Sequence, residues 1–479
     1  MKKPNICLIF MDDMMHRLLL DKEVETPNLD KLVARGTMFT HAHNQGAWSG
    51  AVCIPSRAML ITGLSLWHAR ERIEKTTLLG EWLGQHGYTT HFVGKWHNSD
   101  AALKRSYQTL GPHAGGFYPS TDEKGDAYLR PAPGNNTWKP DDTTRKGHWL
   151  EIDGKIVHSS EHWANGALEF LTSPTPNPSL PRAFVPHWGR EGSPSDSESP
   201  FPSEERAPGR GVGERSDPFF LHVAFHAPHD PRQAPTEYLD KYPVERVSLP
   251  PNFLPEHPFD NGDLKVRDEK LAPWPRTAEA IKQHRKEYYA ILTHADYHIG
   301  RILDALPEDT LVVFSGDHGL AVGEHGLMGK QNCYDHSVRI PLVFAGPGIP
   351  KNKKNDALIY QNQIFATLCD LVGIPQPAGL ENPSLAPLVK GGKQERDAAV
   401  FGAYLNVQRM VRTREHKLIV YPSAKYVQLF DIQKDPWELK NIAAEKPAQV
   451  KALWARLNTL QKSFDDPLEL RYNTDHVKF

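Results

Sequence analysis

Cysteine is scarce in this chain, with four among 479 residues. Cys7, Cys53, Cys333 and Cys369 stand far apart and form neither a metal knuckle nor a disulfide framework. Cys7 and Cys369 sit in apolar runs and read as small core residues. Long hydrophobic stretches are missing too. The run Ile6 to Met11 is broken at once by Asp12 and Asp13, far short of the length that crosses a bilayer, so it reads as a strand and no membrane span is expected. Lys2 and Lys3 imitate the start of a signal peptide, yet no apolar core or cleavage site follows. The chain as written is therefore expected to stay in the cytoplasm, or to be periplasmic or secreted if a signal has been removed. Charge of one sign is not in excess: 56 basic and 58 acidic side chains leave a net charge of -2. That balance argues against nucleic acid or an anionic membrane surface as partner.

The length suits one large domain plus a smaller one. Apolar runs of strand length alternate with helical patterns, which predicts an α/β fold with a large, mostly parallel sheet flanked by helices. The expected strands are Ile6 to Met11, Thr89 to Val93, Phe219 to Phe225, Leu311 to Phe314 and Ile340 to Phe344. Helices are expected over Thr77 to His86, closing at Gly87, and over Glu287 to Leu306. His294 and His298 in the second of these read as surface or packing residues. Residues 171–216 are crowded with Pro, Ser, Gly and Arg and show no period, so they are expected to form an exposed, disordered insertion. Residues 400–479 change character. Met410 to Thr413 and Lys417 to Tyr421 read as short strands and Ala448 to Phe464 as a helix. The expected division is a catalytic domain over 1–385 and a smaller α+β subdomain over 386–479, with an antiparallel sheet and a closing helix.

Ligands of open α/β sheets bind beyond the carboxyl ends of the strands. Four runs place polar residues there: Asp12 and Asp13, then Lys95 and His97, then His229, then Asp317 and His318. Each alone could be an ordinary turn residue, but four converging on one sheet edge point to a site. Carboxylates with an imidazole make a hard, oxygen-rich set that suits calcium or magnesium better than a thiolate-loving metal.

Cys53-Ile54-Pro55-Ser56-Arg57 adds a nucleophile. Pro55 fits a first helical turn, so a helix is expected to wind from Ser56 with its free N–H groups facing Cys53, favouring a bound oxyanion. Arg57 offers a planar fork to a tetrahedral anion. An isolated Cys-x-Pro would read as a buried cysteine at a helix start. Followed by Leu60, Thr62 and Gly63, however, the run resembles the maturation signature of the type I sulfatases, of the wider alkaline-phosphatase-like superfamily.

That resemblance implies that Cys53 is oxidised to formylglycine by a maturation enzyme, and that its aldehyde hydrate attacks the sulfur of a sulfate ester and then expels sulfate. Asp12, Asp13, Asp317 and His318 coincide with the family's calcium ligands, joined by residue 53. Many members carry asparagine where this chain has His318, and a leucine and glycine where it has Met14, Met15 and His16. Gly94-Lys95-Trp96-His97 resembles a second signature. It implies that Lys95 bridges the hydrate and a sulfate oxygen, while His97 takes the proton that drives sulfate out. In His226-Ala227-Pro228-His229 the resemblance favours His229 over His226 as the contact to sulfate and leaving oxygen; protonating that oxygen is a task for His229 or Asp317. Gly326-Leu327-Met328-Gly329-Lys330, ahead of Asp335 to Pro341, resembles the last active-site element and implies that Lys330 holds the sulfate.

The implied activity is hydrolysis of a sulfated carbohydrate or other small sulfate ester. Two other readings stand beside it: a phosphonate or phosphate monoester hydrolase of the same superfamily, and a non-catalytic glycan-binding protein whose Cys53 is never converted. Asn98, His113, His148 and Trp149 are candidates to line the mouth.

Overall fold

Ile6–Met11 is apolar at every position because both of its faces are covered. Ile6, Leu8 and Phe10 enter one core and Cys7, Ile9 and Met11 the other, all fully buried. A strand buried on both sides has no wet face to alternate with. The structure is a computed structural model that describes residues 3–19, 21–116, 128, 130, 147–173, 217–394 and 399–470. Of the expected insertion at 171–216, residues 171–172 end the helix Ser159–Thr172, and 174–216 lie outside the described residues.

Among the described residues the main sheet has nine strands. Across it run Lys353–Asn355, Gly36–His43, Arg339–Ala345, Leu311–Gly316, Ile6–Met11, Phe219–Ala224, Thr89–Lys95 and Thr109–Ala114, with Ile359–Tyr360 also pairing with Gly36–His43. The last five in that row are mutually parallel, whereas Arg339–Ala345 is antiparallel to both of its neighbours. In register, Met11 faces Gly316, Phe10 faces Ala224 and Ala224 faces Gly94. The carboxyl ends of four strands are therefore level, and every polar run singled out above leaves the sheet at one edge.

The helix from the cysteine motif is Cys53–Thr62. It starts three residues earlier than expected: Ser56 N–H already donates to Val52 O at 3.3 Å. Cys53 thus belongs to the first turn instead of preceding it, and Pro55 sits third, where its missing N–H still leaves no carbonyl unpaired. Gly63 ends the helix at φ +69°, its N–H bonding Met59 O at 2.9 Å. A Cβ there would lie 2.4 Å from Leu380 Cδ2, so both backbone and space require glycine. Leu60 and Ile61 pack into a core on one face of the main sheet, while Ala58 and Met59 pack among residues of the C-terminal strands and helix. The helix is wedged between two layers, which fixes Cys53.

The second sheet orders Tyr426–Asp431, His416–Tyr421, Gln408–Thr413 and Ala399–Tyr404 as antiparallel neighbours, then Gly46–Ala47 parallel to the last. Its fifth strand comes from the chain's beginning, seven residues before Cys53, a link the sequence pattern does not reveal. The helix Pro447–Ser463 covers one face through Val450, Leu453, Trp454 and Leu457. The helix expected at Thr77 to His86 is Leu79–Gln85, and that expected at Glu287 is a longer element, Ala278–Ala305, capped by Thr277. His294 and His298 are packing and not surface residues: both are 4% exposed, with their Nε2 atoms 3.1 Å apart. Among the described residues no helix is long and apolar enough to cross a membrane.

Candidate active site

Asp12 and Asp13 follow the central strand, and Asp317 and His318 follow its neighbour Leu311–Gly316. Asp317 Oδ1 accepts from the N–H of Asp13 (3.1 Å) and from its own successor His318 (2.8 Å), locking the two strand ends together. Tyr288 of the long helix donates its hydroxyl to Asp13 O. Ligand atoms of Asp12, Cys53, Asp317 and His318 all lie within 4.8 Å of one another, and so do those of Asp12, Asp13 and His229. All are buried.

Cys53 lies between two ammonium groups. Lys95 Nζ is 3.6 Å and Lys330 Nζ 3.7 Å from Sγ. Lys95 also pairs with Asp12, and Lys330 Nζ lies 2.8 Å from Asp13 Oδ1. The Arg57 guanidinium, the expected fork for a bound anion, stands beside the carboxylates. Its Nη2 stands 3.5 Å from Asp12 and 3.4 Å from Asp317, while Nη1 donates to Lys95 O at 2.6 Å. Its work here is to neutralise acids and hold the end of the Lys95 strand.

Three buried carboxylates cannot all ionise without compensating charge. Burial alone would raise the Asp12 carboxyl, but Lys95, His229, Arg57 and Lys330 outweigh it and hold it well below the ordinary range. Asp13 stays raised, with burial the largest cause. Burial, then Asp12, push Asp317 up to about 8. Burial works against a charged His318, yet Asp317 and Cys53 lift it to about 9. Burial and Asp12 push the Cys53 thiol up; Lys330, Lys95 and His318 more than offset them and leave it below its ordinary value. Burial, then Lys330 and Lys95, hold His229 well below the usual imidazole range. Burial and Lys95 likewise take His97 down to about 2. Both rings are thus neutral bases.

Among the described residues Asp12 Oδ1, Asp13 Oδ2 and Asp317 Oδ2 are buried acceptors with no hydrogen-bond donor, the last standing 3.4 Å from the Arg57 guanidinium as an ion pair. Carboxylate oxygens left without hydrogen-bond donors, in two ligand groups that share Asp12, fit a hard divalent cation. A second group, Glu324, His325 and His336, is also tight enough to hold an ion. There, however, the Asn252 amide donates to Glu324 Oε2 (2.9 Å) and to His325 Nε2 (3.0 Å), and the Arg17 guanidinium is 3.9 Å from Glu324. Protein donors thus meet Glu324 and His325, while His336 Nδ1 stands 3.5 Å from Glu324, and the group ties its loop to the neighbouring segments.

His226 is fully buried, bonds Gly115 O at 2.5 Å and stacks on Trp163, a structural role. His148 does not line the mouth: it is fully buried and its Nε2 meets His229 O at 3.0 Å, supporting His229 from behind. Trp149 packs edge-on to His158, and His113 Nδ1 meets Gly111 O at 2.9 Å. Met14 and Met15 fill the core. Three charged neighbours of the site carry no motif: Asp230, Arg267 and Asp268. Only Asp230, next to His229, had a signal in the sequence.

Comparison with known proteins agrees with this geometry. The profile described as Sulfatase matches residues 4–374, most of the chain. The chain belongs to the sulfatase family. A second profile, the C-terminal part of N-sulphoglucosamine sulphohydrolase, matches residues 323–463. A sulfatase of Formosa agariphila is 26% identical across 97% of this chain and 88% of its own. A choline-sulfatase of Rhizobium meliloti is 27% identical across 92% and 82%. Among solved structures, one determined with its substrate D-glucosamine-2-N,6-O-disulfate superposes with a TM-score of 0.68 at 21% identity, over 97% of this chain and 99% of its own. The phosphonate monoester hydrolase of Agrobacterium radiobacter superposes with the same TM-score at 21% identity, over 96% of each chain. The protein is an enzyme of the sulfatase class, with the α/β architecture of that family.

Proposed function

We propose that this sulfatase hydrolyses a sulfate monoester of a sulfated carbohydrate, using residue 53 as formylglycine and a bound calcium ion. The observation that carries the reading is the placement of Cys53, with two ammonium groups within 3.7 Å of its sulfur and three donor-poor carboxylates beside it. Asp12, Asp13, Asp317 and His318 would hold the calcium, which supplies positive charge against the ester oxygens. An aldehyde hydrate made from Cys53 by a maturation enzyme supplies two hydroxyls, one to attack sulfur and one to expel sulfate.

The remaining work falls to side chains already in place. Lys95 and Lys330, paired with Asp12 and Asp13 in this structure, bind the sulfate oxygens once those carboxylates serve the cation. Fixed cations aimed at charge that grows in the transition state are commonly the largest catalytic contribution. His229 gives a proton to the leaving oxygen; its ring is neutral here, and the arriving anion favours the charged form that this step needs. His97, neutral and close to Lys95 and Asp12, takes the proton from residue 53 that releases sulfate. The relative solved with a disulfated glucosamine supports a sugar as the alcohol component.

Steady-state kinetics on matured, calcium-loaded enzyme test the reading with an aryl sulfate and an aryl phosphonate monoester. The expected result is a kcat/KM larger for the sulfate, and turnover of sulfated monosaccharides. Preference for the phosphonate would replace this function with phosphonate ester hydrolysis.

A further inference from the structure

A chain of charges, buried except for the part-exposed Arg267, joins His229 to Lys330 through residues outside every motif. His229 Nδ1 lies 2.6 Å from Asp230 O and 3.6 Å from Asp230 Oδ1. Arg267 Nη2 pairs with Asp230 Oδ2, and its Nη1 lies 3.0 Å from Asp268 Oδ1. The other Asp268 oxygen accepts from Gln331 Nε2 at 2.8 Å and stands 3.9 Å from Lys330 Nζ. Asp230 and Asp268 are 1% and 6% exposed. The adjoining Glu269 holds the backbone of the same loop, accepting from the N–H groups of Met328 (2.9 Å) and Gly329 (2.8 Å).

The geometry points to Arg267 as a positioning residue that, through Asp230 and Asp268, holds His229 and Lys330 around Cys53 for a tetrahedral anion. This rests on the function proposed above. Two carboxylates beside a pocket that receives an anion would repel it, and Arg267 neutralises them while leaving their grip on His229 and Lys330. The contact to Asp230 O keeps a proton on His229 Nδ1, so that Nε2 is the nitrogen presented to the ester. The planar fork reaches both acids at once, a geometry that a lysine's single ammonium does not reproduce.

The test uses the full-length, matured, calcium-loaded enzyme with Arg267→Met, Arg267→Lys and Asp268→Asn, each alone and combined with Lys330→Met. Affinity for inorganic sulfate by calorimetry and kcat/KM on an aryl sulfate are read together with the melting temperature. Arg267→Met is expected to weaken sulfate binding and lower kcat/KM by about 10- to 100-fold, with Arg267→Lys recovering only part. In the Lys330→Met background the added loss should be well below that in the wild type, because both changes act through one lysine. Asp268→Asn keeps the shape and the Gln331 contact, and should move both readouts the same way even if Arg267→Met fails to fold. Losses that simply multiply, or sulfate affinity and kcat/KM within about twofold of wild type in Asp268→Asn and every folded Arg267 variant, would overturn the assignment. If the wild type binds sulfate yet hydrolyses no sulfate ester, the functional reading fails and the sulfate affinities still decide the positioning claim. A wild type that binds no sulfate removes both.

Discussion

Two buried charge clusters flank the short turn between Lys330 and Asp335, and they are built to opposite ends. Around Asp335 the protein closes its own books: Oδ1 meets Lys417 at 2.9 Å and Arg412 at 3.4 Å, and Oδ2 meets Arg339 at 3.3 Å. Burial would raise that carboxyl, but these cations hold it well below the ordinary range. Lys417 also pairs with Glu438 at 2.7 Å, and the Asp335 N–H donates to Glu438 Oε2 at 2.9 Å, fastening the C-terminal sheet to the turn that carries Asp335. Around Asp13 and Lys330 the acids outnumber what their neighbours satisfy, Asp317 is pushed up to about 8, and three carboxylate oxygens have no donor. A closed cluster holds the fold, whereas an open one beside Cys53, the proposed nucleophile, suits a cation and an anion.

The comparison can be broken most directly at residue 53. Cys53→Ala should lower kcat by about 10⁴-fold or more while leaving the melting temperature nearly unchanged; equal loss of stability would show that the open cluster also holds the fold. The mirror-image change is Asp335→Ala, which strands Lys417 and Arg412 without their shared acid. Urea unfolding should show a loss of about 3–5 kcal/mol, with the kcat of the folded fraction retained; a lost kcat in folded protein would erase the distinction.

Cation and pH sharpen it further. An acid whose pKa is higher folded than unfolded binds more protons in the native state, so stability falls as pH rises between the two values. With Asp317 at about 8 folded against about 3.9 unfolded, the melting temperature of the wild type in chelator, measured against that of Asp317→Asn, should fall from pH 5 to pH 8; the difference removes the opposite trend set by buried neutral histidines such as His97 and His229. Calcium at a hundredfold excess over its Kd should add about 2.7 kcal/mol and shrink that difference. A melting temperature blind to calcium at pH 8 would argue that the open carboxylates do not bind it. The smallest effect belongs to an exposed pair, Arg414 with Asp356 at 3.0 Å. Arg414→Ala should cost less than about 1 kcal/mol in urea unfolding and nothing in activity.

Much of this architecture could be read from residue order. The central strands were visible because burial on both faces demands continuous apolar runs, and the polar residues at their ends were visible because parallel strands deliver them to one edge. Gly36–His43 and Thr109–Ala114 escaped, since their mixed sequences belong to strands farther from the sheet centre. The two-residue strand Gly46–Ala47 exists only because Ala403 and Tyr404 lie beside it, a pairing across some 350 residues that local pattern cannot carry. Within the site, motif residues were accessible to sequence and their partners were not: nothing in the pattern pairs Arg57 with Asp12 and Asp317, and Arg267 with Asp268 lies in a segment of ordinary polar composition.

The account stands on residue 53, and mass spectrometry of the tryptic peptide Gly36 to Arg57 reads it directly. Protein made with a formylglycine-generating enzyme and shown to turn over sulfate ester should carry an aldehyde at position 53, with the thiol gone. An unmodified Cys53 thiol in protein of full activity would contradict the account and call for another nucleophile.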